Sequence, residues 1–304
     1  MNKADVDFVI VDESSMIDVP LFSSLLSGLK ESTRIVMVGD YNQLPSVGPG
    51  ELLRDLTLSN VLPLITLKTL YRQKENSNII TLAHDINEGF VDESTFNVGD
   101  DLTFINTNNI STCIYDISRD YLDVDFHEFE VLAPMYKGIN GIDNLNLMLQ
   151  DLFNPKSPKK NEIQVGDVRY REGDKVLQLL NMPDDKIYNG DIGEIVNISK
   201  KEITVLFDES EVVFTPSNFS NFKLGYAISI HKSQGSEFDT VVVPVAESYN
   251  KMLYRKLYYT AVTRAKKKLI IIGNLKALSN AAHNNMQDIR KTSIREKIIK
   301  EMES

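Results

Sequence analysis

Phe8-Val9-Ile10-Val11-Asp12-Glu13-Ser14-Ser15-Met16 is the stretch that decides the fold. Four apolar, mostly β-branched residues running into two adjacent carboxylates predict a buried parallel strand that delivers acids at its carboxyl end. In an open α/β sheet that edge is where ligands bind. Neighbouring carboxylates there suit a Mg²⁺-nucleotide, with Asp12 holding the metal through water and Glu13 orienting or deprotonating the attacking water. The same residues read equally well as a helix N-terminus, with Asp12, Ser14 or Ser15 as its cap.

Outward from this stretch, Leu21, Phe22, Leu25, Leu26 and Leu29 form an apolar stripe at helical spacing between Asp18 and Leu29. A second apolar strand, Arg34 to Val38, ends in Gly39-Asp40-Tyr41-Asn42-Gln43-Leu44-Pro45-Ser46-Val47-Gly48-Pro49-Gly50. Parallel neighbours need such a crossover, so strand, helix and strand make half of a doubly wound sheet. Two strand ends then aim carboxylates and an amide at one crevice. Far downstream lie Tyr226-Ala227-Ile228-Ser229-Ile230-His231-Lys232-Ser233-Gln234-Gly235-Ser236-Glu237-Phe238-Asp239 and Tyr258-Tyr259-Thr260-Ala261-Val262-Thr263-Arg264-Ala265.

In order and wording these segments resemble motifs II, III, V and VI of superfamily 1 DNA helicases, and most closely the RecD-like bacterial helicases. Tyr71-Arg72-Gln73 resembles the arginine-bearing motif IV. The resemblance covers nearly the whole chain and implies an α/β fold: two RecA-like parallel-sheet motor domains, the first incomplete, with an inserted small SH3-like β-barrel. It implies an ATP-dependent helicase or translocase that uses ATP and Mg²⁺ and moves 5′ to 3′ on single-stranded DNA or DNA with a 5′ overhang, alongside repair or recombination proteins. In the family pattern Asp12 serves the metal and Glu13 the water, Gln43 senses the γ-phosphate, and Arg72 and Arg264 act as arginine fingers. Gly235 and Glu237 touch the ribose side of the nucleotide, while His231, Lys232 and Ser233 face the DNA strand. Lys137, in Pro134-Met135-Tyr136-Lys137-Gly138, stands with the Gly138 to Gly141 amides either as a DNA phosphate holder or in a plain strand-to-helix turn.

Composition agrees with a globular, multidomain chain. At 304 residues it can bury more than one core, and its 42% apolar and 25% charged content is ordinary for a soluble protein. Cys113 is the single cysteine, which excludes an internal disulfide framework and fits a reducing cytoplasm. No apolar run is long enough to span a bilayer and the first residues lack an apolar signal core, so neither membrane embedding nor secretion is expected. A net charge of −10 argues against indiscriminate coating of nucleic acid while leaving room for a local channel. Without tryptophan, base stacking falls to Tyr, Phe, His or Arg.

Patterning divides the chain into five parts. Residues 1–95 read as the carboxyl-terminal part of a first motor domain, including a helix from Asn78 to Gly89 in which His84 is a structural residue. Residues 96–162 open a second α/β domain, 163–222 form short strands between turns as an inserted barrel, 223–282 resume the parallel sheet, and 283–304 are a polar helical tail, read as a solvated helix. Within the fourth part a helix is expected from Met252 to Lys267. No Gly-Lys dipeptide occurs anywhere, so the sequence has no Walker A phosphate loop. The expectation is therefore the carboxyl-terminal part of a longer helicase or a truncated product, inactive alone. A non-enzymatic nucleic-acid-binding or assembly module and a superfamily 1 RNA helicase are the competing readings.

Overall fold

The computed structural model describes residues 3–67, 77–96, 99–208, 210–285, 290 and 292–302. Tyr71-Arg72-Gln73, and with it Arg72, lies outside the described residues.

The first lobe begins with β1 (Phe8–Val11), α1 (Val19–Gly28) and β2 (Arg34–Met37), followed by α2 (Leu52–Ser59). β1 and β2 run parallel, with Phe8 opposite Arg34 and Val11 opposite Met37. α1 starts where Asp18 accepts a hydrogen bond from Leu21 N at 2.8 Å and Pro20 occupies the first turn, whose amide has no helical partner anyway. One expectation needs correction: β1 is a strand, but it is not buried. Phe8 is 51% and Ile10 67% exposed, because β1 and β2 form a two-stranded sheet and no described residue covers that face. The short helix α2 buries Leu52, Asp55 and Ser59 along one side.

Next come α3 (Asn78–Glu88), β3 (Leu102–Asn106), α4 (Ile110–Ser118), β4 (Phe129–Ala133) and α5 (Ile142–Phe153). A hairpin of β5 (Glu162–Val165) and β6 (Val168–Arg171) leads into β7 (Lys175–Gln178), β8 (Ile192–Ile198), β9 (Ile203–Phe207), β10 (Ser210–Phe214) and β11 (Phe222–Leu224), an antiparallel sheet in the order β10-β9-β8-β7-β11. The chain then returns through β12 (Ala227–Ser229), β13 (Phe238–Val245), α6 (Arg255–Val262), β14 (Ala265–Gly273) and α7 (Leu275–His283). The second lobe is thus a parallel sheet of order β12-β4-β13-β14-β3, contributed from both sides of the barrel. Its central strands carry apolar runs, residues 131–133, 241–245 and 269–272, that are buried on both faces.

The helix expected from Met252 to Lys267 is shorter. It ends at Val262, and β14 already starts at Ala265, opposite Phe238. The lysine run 266–268 favours helix by propensity, but pairing with β13 overrides it. α3 seats its apolar face, Ile79, Leu82 and Ile86, against α6 and α7 in the second lobe. Its amino end is capped from a distance. Asp101 accepts from Ser77 Oγ at 2.6 Å, Asn78 N at 2.9 Å and Asn78 Nδ2 at 2.8 Å.

Two buried polar joints fix the barrel to the second lobe. Asp174, fully buried, accepts from Gln150 Nε2 (2.6 Å), Asn154 Nδ2 (2.7 Å), Arg171 N (2.7 Å) and Tyr226 OH (3.1 Å). Beside it Lys175 Nζ reaches Glu130 Oε2 at 2.9 Å and the carbonyls of Phe126 and Phe129. Burial pushes both carboxyls up, against the pull of those bonds.

The last helix, α8 (Ile294–Met302), belongs to the polar tail. It was expected to be solvated; instead it packs on α2 of the first lobe.

Candidate inter-lobe nucleotide site

The carboxylates stand where the strand end puts them. Asp12 is exposed and its Oδ1 accepts from Glu13 N at 2.8 Å. Glu13 is left-handed (φ 48°, ψ 40°), a conformation that disfavours residues with a Cβ and marks a constrained turn. The turn is pinned by Ser14, whose N donates to Val38 O at 2.9 Å and whose Oγ donates to Val11 O at 2.8 Å. The two strand ends approach closely at Gly39: a Cβ there would lie 3.0 Å from Ser14 N and 2.9 Å from Leu53 Cδ2. The alternative of a capped helix at Asp12 is not what forms. A single short turn, Ser14–Met16, follows Glu13 with no side-chain cap, and α1 takes its cap from Asp18.

The segment after Gly39 is stitched to the second lobe at four points. Tyr259 OH donates to Asp40 Oδ2 at 2.7 Å, and Thr260 Oγ1 accepts from Leu44 N at 2.8 Å. Gln234 Nε2 donates to Leu44 O at 2.8 Å. Lys256 Nζ meets Glu51 Oε1 at 2.8 Å, with side chains 9% and 3% exposed, while Arg54 Nη1 holds the other oxygen at 3.0 Å. Burial, reinforced by the neighbouring Asp40 charge, pushes the Tyr259 phenol well above its ordinary value and keeps it a donor. Gln43 sits between these anchors, and its Oε1 is buried without a hydrogen-bond partner, an acceptor that a bound molecule could satisfy.

On the facing side, Ile230 to Ser233 make a short helical turn in which Ser229 Oγ accepts from Lys232 N at 3.3 Å. His231 is exposed. Lys232 reaches the barrel, its Nζ donating to Asn189 Oδ1 at 2.5 Å; burial and then the nearby Lys223 charge push its ammonium down. Ser233 is fully buried and donates to Ile230 O at 2.9 Å, so its hydroxyl shapes the turn. Gly235 has φ +80° and Glu237 is half-buried beyond it. Arg264 is 3% exposed and folds onto its own lobe: Nε donates to Thr260 O (3.2 Å), Nη1 to Ser236 O (3.1 Å) and Nη2 to Thr263 Oγ1 (3.3 Å). Lys137 is exposed and paired with Asp143 at 2.8 Å, which holds its ammonium above the ordinary value.

The structure therefore brings Leu44, next to Gln43, across the seam between the lobes onto Gln234, the sequence neighbour of Gly235, and Thr260, whose carbonyl accepts from Arg264. Asp12 and Glu13 stand at the end of β1 just before Ser14, which packs close to Gly39. Lys137 belongs to a separate turn. Sequence reasoning missed Glu51, Lys256, Tyr259 and Thr260. The signal was present, since Lys256, Tyr259 and Thr260 are at helical spacing and share one face of α6. Among the described residues no cluster of three or more His, Cys, Asp or Glu could hold a metal ion by itself. Asp12 supplies one exposed carboxylate, which fits Mg²⁺ bound through water and nucleotide oxygens and not in a protein cage.

Fold and site together define a two-lobed α/β core with an antiparallel barrel set into its second lobe. The family-model matches agree: residues 145–208 match an ATP-dependent RecD-like DNA helicase SH3 domain, 224–272 a UvrD-like helicase C-terminal domain, and 1–108 an AAA domain. The chain is 35% identical over 301 residues to the ATP-dependent RecD2 DNA helicase of Deinococcus radiodurans, and 28% identical over 316 residues to the RecBCD enzyme subunit RecD of Mycolicibacterium smegmatis. Each alignment takes in 98% of this chain but only 40% and 55% of those relatives, so the chain spans about half the length of the proteins it matches. Its fold is like that of Bacteroides Pif1 helicase solved with ADP-AlF3 and single-stranded DNA, at TM-score 0.54 and 17% identity, covering 88% of this chain and 70% of that one. The chain is thus similar to RecD-like helicases along nearly its whole length. No helix among the described residues is long and apolar enough to cross a membrane.

Proposed function

We propose that the chain works as the part of an ATP-driven, 5′ to 3′ DNA helicase that carries the hydrolytic carboxylates, the second motor lobe and the barrel. The observation that carries this is the seam itself. The Gln43 segment hangs from Asp40, Leu44 and Glu51, and each anchor is bonded to a side chain of the opposite lobe. A change at the nucleotide is thus felt by both lobes, as a two-state motor requires.

Mg²⁺-ATP supplies the phosphoryl group and the charge that the site must neutralise. Asp12 would orient the metal's water shell, and Glu13 would accept a proton from the attacking water. Gln43 would hold that water through Oε1 and report on the γ-phosphate through its amide. Arg264 would exchange its carbonyl partners for phosphate oxygens as the lobes close, with Arg72 as the second finger; Gly235 and Glu237 would meet the ribose. His231 and Lys232 would grip single-stranded DNA from the same loop, with Lys137 as an outlying phosphate contact. Ser233 supports the turn. The division into residues 1–95, 96–162, 163–222, 223–282 and 283–304 belongs to the same proposal, as do cytoplasmic location and association with repair or recombination proteins.

The test is DNA-stimulated ATP hydrolysis and unwinding of a 5′-tailed duplex by this chain joined to a segment that carries a phosphate loop. Glu13→Gln should abolish hydrolysis and retain nucleotide binding. Hydrolysis indifferent to Glu13 would remove the basis of the assignment.

A further inference from the structure

The carboxyl-terminal tail makes a contact that the motor scheme does not use. Arg290 Nη1 donates to Gly48 O at 2.7 Å and to Gly50 O at 3.1 Å. Two residues on, Thr292 Oγ1 donates to the buried Asp55 Oδ2 at 2.6 Å, and α8 then packs along α2, with Ile294, Ile298 and Ile299 half-buried. The tail follows α7 of the second lobe, yet each of these partners lies in the first lobe. It is therefore a second-lobe segment anchored across the seam.

Its target is specific. Gly48 and Gly50 close the segment that starts at Gly39 and holds Gln43. That segment is already pressed against the start of α1, where Val19 N donates to Pro49 O at 3.2 Å and a Cβ on Gly50 would lie 2.5 Å from Val19 Cγ2. A guanidinium shared between two carbonyls of one turn fixes the turn's curvature, because a planar fork with several donors holds both acceptors in one geometry. Tyr259, Thr260 and Gln234 hold the front of the segment, at Asp40 and Leu44; Arg290 holds its rear.

We infer that Arg290 is a positioning residue for Gln43: with Thr292 and α8 it forms a strap that sets the Gly48–Gly50 turn and so the register of Gln43 in the seam. This rests on the proposal that Gln43 reports on nucleotide.

The experiment compares wild type, Arg290→Ala, Arg290→Lys and a chain ending at Asn285. Amide exchange is followed at Val19 and Asp55, whose N–H groups bond to Pro49 O and Glu51 O on the two sides of the turn. Both amides should exchange about tenfold faster in Arg290→Ala and in the truncated chain, with barrel amides at Ile203 and Val205 unchanged and Arg290→Lys restoring part of the protection. In the complete motor, Arg290→Ala should lower DNA-stimulated kcat severalfold at unchanged KM for ATP. Unchanged exchange in both Arg290→Ala and the truncated chain overturns the strap. Faster exchange with unchanged kcat overturns its tie to Gln43. A complete wild-type motor without ATPase activity would instead count against the proposed function, with the exchange result still deciding whether the strap exists.

Discussion

Lys256→Ala isolates the contact between lobes whose energetics are best defined by the geometry. Lys256 and Glu51 are 2.8 Å apart with side chains 9% and 3% exposed, so neither charge is well hydrated. Removing one partner of a buried pair generally costs about 3–5 kcal/mol, because the other charge is left buried. Arg54 remains on the second Glu51 oxygen at 3.0 Å, but its side chain is 40% exposed and it compensates only in part. With that partial compensation the expected loss is about 2–3 kcal/mol, at or just below the bottom of that range. Glu51→Gln combined with Lys256→Met removes both charges and should lie within about 1 kcal/mol of wild type, giving a large coupling energy in the cycle closed by Glu51→Gln and Lys256→Met singly. Native-state amide exchange against urea reads it locally. Val38 N, bonded to Val11 O at 2.8 Å, reports on the first lobe, and Val205 in β9 reports on the barrel. Lys256→Ala should loosen Val38 and spare Val205. A coupling energy below about 0.5 kcal/mol, or equal loosening at both amides, would refute the assignment of this pair as the pin between lobes.

Three further outcomes are expected. Arg264→Ala in the complete motor should lower turnover by roughly 10³-fold with single-stranded DNA binding largely kept; equal loss of both would assign Arg264 to its Thr260 and Ser236 carbonyl contacts alone. Lys232→Ala should weaken single-stranded DNA binding and flatten its salt dependence by about one phosphate, read by anisotropy across a salt series, with basal ATPase intact. At Asp101, burial raises the carboxyl, but bonds from Asn78, Ser77 and Ile79 outweigh it and hold the folded value below the ordinary one. The stability it contributes is therefore full above the ordinary carboxylate range and lost as pH falls through the depressed value, and Asp101→Asn should remove that acid limb from an equilibrium-unfolding profile.

The elements legible in the sequence were those whose apolar period is set by burial on a known side. The helix expected from Asn78 to Gly89 forms as α3, and the short strands expected between turns over residues 163–222 form there as β6 to β10. Expectation failed where the deciding partner is distant. α3 takes its cap from Asp101, more than twenty residues away, and no local pattern announces it. β14 takes its start from pairing with β13 and not from its lysines. The exposed face of β1 depends on what covers a two-stranded sheet, which the strand's own residues do not state. At the site, the quoted motifs named Asp12, Glu13, Gln43 and Arg264, while the bonds that fix the segment around Gln43 come from Tyr259 and Thr260 of α6 and from Gln234, and appear only when the chain closes on itself.

The buried joints also decide which parts can move. Asp174 is satisfied by four donors drawn from α5, β6 and the approach to β12, and Lys175 of β7 is anchored on Glu130 of β4. Separating barrel from second lobe would expose these groups or leave them unpaired, each at a cost of a few kcal/mol. Barrel and second lobe therefore travel as one body. The seam with the first lobe is different: Tyr259 to Asp40, Thr260 to Leu44 and Gln234 to Leu44 are single hydrogen bonds, each worth about 1 kcal/mol net and each replaceable by water. Of the four contacts made by the segment after Gly39, Lys256–Glu51 is the strongest, since both of its charges are buried. The Lys232 to Asn189 bond, inside that body, ties the turn of residues 230–233 to the barrel.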